Sequence, residues 1–450
     1  MKTNPQTTPK KYFLLFAAIT CIIGILSGCN STLQDDGFTG EYFPDGVYSI
    51  TTAGRYEFSG DYRGQIFIET GRNDIVELVF DNFSLHNPDG AAINAPNSRR
   101  VEIYLTEGTE NSVSNAVGSR RTTQTDEDSV IDAVYVNNDL IINGSGTLNV
   151  TSASRHGLRS QDYLTINSGT LNIQAAGSGL RGRDGVTVNG GTITINAGSD
   201  GIQSNHATNP SRGFVVISDG TLDITAISDG IQAATRATIN DGSLRFIVGD
   251  DAISAAESIV VTGGNIDIVN ASEGLESKNI TISGGDISIF SINDGINARD
   301  ASGEAHVFVR LLGGNVRVQT RRDSIESDGF IYVEGGTLHG SGLFVGERPA
   351  GQVMLTSGEF INTGNTVNIS AESTQPNMTF HFPYYQTEDT LLEIKSADEE
   401  TLLSYTAPNT FARAVVSSPS FEVGTTYQLY LNGEKITEWV FSQINEELTL

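Results

Sequence analysis

A glycine followed by a short alternating strand recurs at a near-constant interval through the middle of this chain. The glycines are Gly146, Gly169, Gly191, Gly220, Gly242, Gly264, Gly285, Gly314, Gly336 and Gly358. Two steps are longer, Gly191 to Gly220 and Gly285 to Gly314, and carry insertions at 205–212 and 299–305. After the glycines come stretches such as Thr147-Leu148-Asn149-Val150, Thr192-Ile193-Thr194-Ile195 and Asn265-Ile266-Asp267-Ile268, in which apolar residues alternate with polar ones. That is the period of a strand with one buried face. A second strand precedes each turn, as in Leu164-Thr165-Ile166 and Ile280-Thr281-Ile282, and a third surrounds an acid-small-aliphatic motif. Three short strands per repeat with no helical half predict an all-β chain wound as a parallel β-helix of ~22-residue coils. A leucine-rich repeat of similar length would show its leucine frame and a helical segment, and neither is present.

Residues 45–364 are assigned to this helix. Ala92-Ile93 and Ala133-Val134 read as early coils, with 107–130 thrown out between them as a polar loop. Residues 365–450 lose the glycine period, hold the only tryptophan, Trp439, and read as a small C-terminal β module. Its plain role is to cover the open end of the helix; a separate ligand-binding module is the alternative.

The third strand carries the chemistry. Asp200, Asp229, Asp251, Glu273, Asp294 and Asp323 recur once per repeat, each followed by a small residue and then Ile or Leu. Winding places equivalent residues ~4.8 Å apart. Two bare carboxylates at that distance repel by roughly 1 kcal/mol in water and by several at lower dielectric. Calcium relieves this, since it takes about six to eight oxygen ligands. The candidate metal ligands are Asp200, Asp229, Asp250, Asp251, Glu273, Glu276, Asp294 and Asp323, with Gln203, Gln232, Asn297 and Glu326 placed to add oxygens. The competing reading is local: Asp before Gly caps its own turn by accepting backbone N–H groups. In the first coils the acid position holds His156 and then Ser178, amid Arg155, Arg159, Arg181 and Arg183. Arg155, Arg159 and Arg181 are candidate contacts for an anionic ligand.

The N-terminus reads as an address. Lys2, Lys10 and Lys11 precede an apolar run from Phe13 to Leu26, of signal-peptide rather than membrane-spanning length. Leu26-Ser27-Gly28-Cys29 resembles the lipobox of bacterial lipoproteins, which implies cleavage after residue 28, a lipid on Cys29, a tether over 29–44 and anchoring in the cell envelope, at the outer membrane or cell surface. A formal net charge of −27 makes nucleic acid an unsuitable partner and favours cations, or anionic ligands bridged by cations. His-Glu-x-x-His, Gly-x-Ser-x-Gly and phosphate-binding loops are absent, and the six histidines are scattered.

From Val47-Tyr48-Ser49-Ile50, through Ile142-Asn143-Gly144-Ser145-Gly146-Thr147-Leu148 and the Asp-Gly-Ile coils, to Ser417-Ser418-Pro419-Ser420-Phe421, the chain resembles a family of bacterial carbohydrate-binding parallel β-helix proteins. Its members bind cellulose and polygalacturonate and are related in fold to pectate lyases. The resemblance implies a right-handed helix, calcium held by surface aspartates, and non-catalytic binding of acidic, pectin-like polysaccharide. Two alternatives remain. One is a calcium-dependent lyase in which Lys278, the only lysine between Lys11 and Lys395, takes the uronate C5 proton. The other is a structural surface adhesin or scaffold. Phe214 and Phe246 fall at positions expected to look inward, so the coils are expected to lack an aromatic stacking surface.

Overall fold

A computed structural model describes residues 46–116, 131–300, 306–342, 344–345 and 352–450. The signal segment, Cys29 and the tether lie outside the described residues, as does most of the insertion at 299–305.

The alternating stretches stack in register as parallel strands. Thr170–Ala175 pairs with Thr147–Ser152 on one side and Thr192–Ala197 on the other. The same register continues through Leu171, Ile193, Leu222, Leu244, Ile266, Ile287, Val316, Leu338 and Phe360, each buried. A second ladder stacks Leu180, Ile202, Ile231, Ile253, Leu275, Ile296 and Ile325. A third stacks Leu164, Val186, Val215, Ala237, Ile259, Ile280, Val309 and Ile331. The three ladders close around one continuous apolar core, which makes the fold a parallel β-helix. Each fully buried aliphatic side chain contributes about 1.5–3 kcal/mol, so a coil is held mainly by its neighbours above and below.

The turn glycines are needed for their backbone. Gly242 sits at φ +109°, where a Cβ would lie 2.7 Å from the Gly220 carbonyl oxygen of the preceding coil. Only glycine takes that conformation without strain. Gly146 departs from the series, because in its coil Gly144 takes the left-handed conformation, at φ +89°. On the outside, an amide ladder ties coils together: Asn167 Nδ2 donates to Asn143 Oδ1 at 2.7 Å, and Asn189 Nδ2 to Asn167 Oδ1 at 2.8 Å.

Three expectations change. Part of the supposed 107–130 loop is a strand, since Glu110–Asn115 pairs with Ile75–Asn87 and Thr147–Ser152 and buries Val113. Its serines and asparagines hide the alternation. Parallel pairing also runs past residue 364, through Thr366–Val367 and a bridge at Ile369. Phe214 does not look inward. It occupies an outer position, its ring centroid 6.0 Å from that of Tyr163, with the Arg236 guanidinium 5.0 Å above it. Phe246 is buried in the core. The coils therefore do carry an outward aromatic surface, because Phe214 is the first residue of its strand, an outward position, whereas Phe246 is the fourth of its own, an inward one.

Beyond the helix, Phe411–Ser417 pairs antiparallel with the coil strand Val353–Gly364 and with Asn377–Gln386. A four-stranded antiparallel sheet lies in the same C-terminal region. Its aromatics and those of the adjoining segments, Phe380, Phe421, Tyr427, Trp439 and Phe441, pack on one another in a buried cluster.

Candidate functional site

Backbone hydrogen bonds fix the acid file. Gly201 N–H donates to Asp229 O, Gly230 N–H to Asp251 O, Ala252 N–H to Glu273 O, Gly274 N–H to Asp294 O and Gly295 N–H to Asp323 O, all at 2.8–3.2 Å. The acids thus occupy one corner of consecutive coils. The corner continues upstream as Ser178, His156 and Asp132, through Gly157 N–H to Ser178 O and Ala133 N–H to His156 O. Asp132 was missed in the sequence, although Asp132-Ala133-Val134 fits the acid-small-aliphatic pattern. A second file runs beside the first: Arg159, Arg181, Gln203, Gln232, Ser254, Glu276, Asn297 and Glu326 are register partners.

Three of the carboxylates, Asp200, Asp229 and Asp294, cap the next coil. Asp251 N–H donates to Asp229 Oδ1 at 3.1 Å, Asp229 N–H to Asp200 Oδ1 at 3.4 Å and Asp323 N–H to Asp294 Oδ1 at 3.3 Å. Capping and clustering therefore coexist. Three groups bring ligand oxygens within 4.8 Å of one another: Asp229 with Asp250 and Asp251, Asp251 with Glu273 and Glu276, and Asp294 with Asp323 and Glu326. The first two share Asp251. Asp200 joins none of the three; its Oδ2 accepts from Gln203 Nε2 at 2.5 Å.

Burial, then the neighbouring carboxylates Glu276, Asp229, Glu273 and Asp250, push Asp251 up to about 9. Burial likewise pushes Asp229 and Glu273 up to about 7, with like charges adding to it. Asp200 and Asp294 are raised chiefly by burial. Arg299 stands at the edge of the central group, its Nε 3.0 Å from Glu276 Oε1. Hard neutral oxygens lie beside the acids. Asn297, 3% exposed, donates through Nδ2 to Glu273 Oε2 at 2.8 Å and keeps a buried Oδ1 without a hydrogen-bond donor among the described residues, and Gln232 Oε1 is in the same state.

The arginine expectations divide. Arg159 is 4% exposed, and its guanidinium lies 3.2 Å from Asp132 Oδ2 and 5.2 Å from the Tyr135 ring centroid. It is a buried structural partner, not a surface contact, because the upstream acid at the corner draws it inward. Arg155 and Arg181 are half-buried around His156. Lys278 lies 3.6 Å from Glu257 and 3.8 Å from Asp300, acids outside the file, so its ammonium is occupied in ion pairs. A further missed device is Asp184, which holds His206 at 2.5 Å and Arg212 at 2.7 Å and so pins the 205–212 insertion to the coil.

Comparison with known proteins places the chain in a family. The family described as carbohydrate-binding domain-containing protein matches residues 44–251 and 247–379. A relative of that description from Acetivibrio thermocellus is 31% identical over 148 residues, covering 32% of this chain and 51% of the relative's length. A solved structure described as the polysaccharide lyase-like protein from C. thermocellum, gadolinium derivative, is 29% identical, with a TM-score of 0.47, over 50% of this chain and 91% of that one. With the family's pattern running over most of its coils, the chain belongs to the carbohydrate-binding domain-containing proteins.

Proposed function

We propose that this chain is a non-catalytic, calcium-dependent binder of acidic polysaccharide, of polygalacturonate type, held at the bacterial cell surface by a lipid on Cys29. The observation that carries the reading is the double group Asp229, Asp250, Asp251, Glu273 and Glu276, with ligand oxygens within 4.8 Å in each half. Oxygens on one calcium, each at ~2.3–2.6 Å from it, lie at most ~4.6–5.2 Å apart, a span that accommodates each group. Asn297 Oδ1 supplies a neutral ligand of the same hard character beside Glu273. Calcium bound here keeps coordination positions for carboxylate oxygens of a uronate chain, which is how an acidic protein face holds an acidic polymer.

Family membership supports carbohydrate as the ligand class. The ion-paired state of Lys278 speaks for binding over proton abstraction. The lipid anchor rests on Leu26-Ser27-Gly28-Cys29 alone.

The test is affinity electrophoresis through gels containing polygalacturonate, with calcium or with EDTA. Calcium should retard the wild-type protein, and Asp251→Asn should remove most of the calcium-dependent retardation. Equal mobility with calcium and with EDTA would sink the calcium reading, and retardation by neutral glucans alone would sink the acidic one.

A further inference from the structure

We infer that the face beside the acid file carries a metal-free subsite for one uronate ring of the same polymer, with Tyr163 and Phe214 against the sugar ring and the Arg236 guanidinium on its carboxylate. The inference rests on the polysaccharide reading above and adds a second foothold to it.

The third ladder supplies the platform. Its strands begin at outward positions, and register stacks those positions into one column that runs through Tyr163, Gly185, Phe214, Arg236 and Ser258. Gly185 decides how the rings lie. A Cβ there would stand 2.7–3.0 Å from Cζ, Cε2 and Cε1 of Phe214, so the end of the Phe214 ring fills the space over the glycine. Phe214 thereby reaches across a whole coil. Backbones two coils apart are ~9.6 Å apart, yet the Tyr163 and Phe214 ring centroids are 6.0 Å apart, with planes inclined by 32°. Tyr163 is 36% exposed and Phe214 half-buried, so the pair is one aromatic surface in contact with solvent.

Arg236 bounds the other side. Its guanidinium lies 5.0 Å from the Phe214 centroid. It is exposed and enters no ion pair or side-chain hydrogen bond among the described residues. The chain carries a net charge of −27. A cation kept off so many carboxylates and held at an aromatic face is a counter-charge for an anionic ligand. Arg236 also lines a cavity of about 360 Å³ with Pro210, Thr235, Glu257 and Ser258, within the ~300–1,000 Å³ of small-ligand sites. Thr235 Oγ1 donates to Arg212 O at 2.6 Å, which fixes the 205–212 insertion as one wall.

A pyranose uronate matches these parts. Its face of C–H bonds suits the electron-rich face of an aromatic ring, and its carboxylate suits a guanidinium. The position suits the polymer as well. Within one coil, Asp229 and Arg236 flank the short strand Ile231–Ala233, which is ~10 Å long. The column and the acid file therefore run side by side along the helix axis, and one polymer laid along that axis reaches calcium on one side and the aromatic pair on the other.

The experiment is affinity electrophoresis of the full chain through polygalacturonate and through carboxyl-reduced polygalacturonate, in EDTA and in calcium, for the wild type, Phe214→Ala, Phe214→Tyr, Gly185→Ala and Arg236→Gln. In EDTA the wild type should be retarded weakly by polygalacturonate and less by the reduced polymer. Phe214→Ala should weaken that binding about tenfold or more, and Phe214→Tyr should keep it. Gly185→Ala should weaken it too, because its Cβ displaces the ring while Phe214 remains. Arg236→Gln should bring polygalacturonate down to the level of the reduced polymer. A melting temperature that still rises with calcium shows that each variant is folded. No retardation of the wild type in EDTA, or equal retardation of wild type and Phe214→Ala, overturns the subsite. Equal binding of the two polymers by the wild type overturns the pairing of Arg236 with carboxylate. Self-association that Phe214→Ala abolishes gives the face to a second copy of the chain and overturns the sugar. Retardation in EDTA that follows these variants, with no gain from calcium, supports the subsite and counts against the calcium reading instead.

Discussion

Removing one charge from the middle of the acid file should stabilise the metal-free protein. Asp251 ionises at about 9 in the fold because it is buried among Glu276, Asp229, Glu273 and Asp250, against ~3.9 in an unfolded chain. A raised folded-state value means that the native state holds its proton more tightly than the unfolded state. The contribution is fully present below about pH 4 and is lost as pH rises toward 9. Between pH 4 and 7 the loss for this one group is on the order of 4 kcal/mol, at 1.36 kcal/mol per unit. For a chain of this size that corresponds to about 5 °C in melting temperature. Asp251→Asn keeps the shape and cannot ionise. In EDTA the wild type should melt progressively lower from pH 4.5 to 8, and the asparagine variant should show a flatter profile and a higher melting temperature at pH 8. With calcium the order reverses, since calcium needs the ionised form and its stabilisation of the wild type grows with pH. Scanning calorimetry across pH, with EDTA and with calcium, reads all four curves. A wild-type melting temperature in EDTA that is flat or rises over this range, or an asparagine variant less stable than wild type in EDTA, would falsify the electrostatic account of the file.

Other outcomes follow from single contacts. Gly242→Ala should cost about 1–3 kcal/mol in chemical denaturation, because φ is +109° and the new Cβ meets the Gly220 oxygen; an unchanged midpoint would contradict that. Asp132→Asn should cost about 3–5 kcal/mol by leaving Arg159 buried without its counter-charge, and the double change with Arg159→Met should recover much of it, as a double-mutant cycle would show. Lys278→Ala should leave polygalacturonate binding unchanged, and neither protein should release product with the ultraviolet absorbance of an unsaturated uronate; appearance of that signal in the wild type alone would make Lys278 a base. Phe246→Ala should cost about 3–5 kcal/mol from the cavity it leaves in the core, read by denaturant midpoint.

The sequence by itself determined the winding. A strand period interrupted once per coil by glycine leaves one way to bury every aliphatic row, and that row spacing brings Asp229, Asp251 and Glu273 into one file. Local rules could not decide what each corner residue does with its second neighbour. Whether Asp229 caps its own turn or the next coil, whether Arg159 points to solvent or to Asp132, and whether Phe214 faces in or out depend on atoms a coil or more away along the chain. Period is a property of the chain alone and survives in the sequence. Partner choice belongs to the stack, where residues far apart in the chain first come within hydrogen-bond distance, and only the tertiary structure decided it.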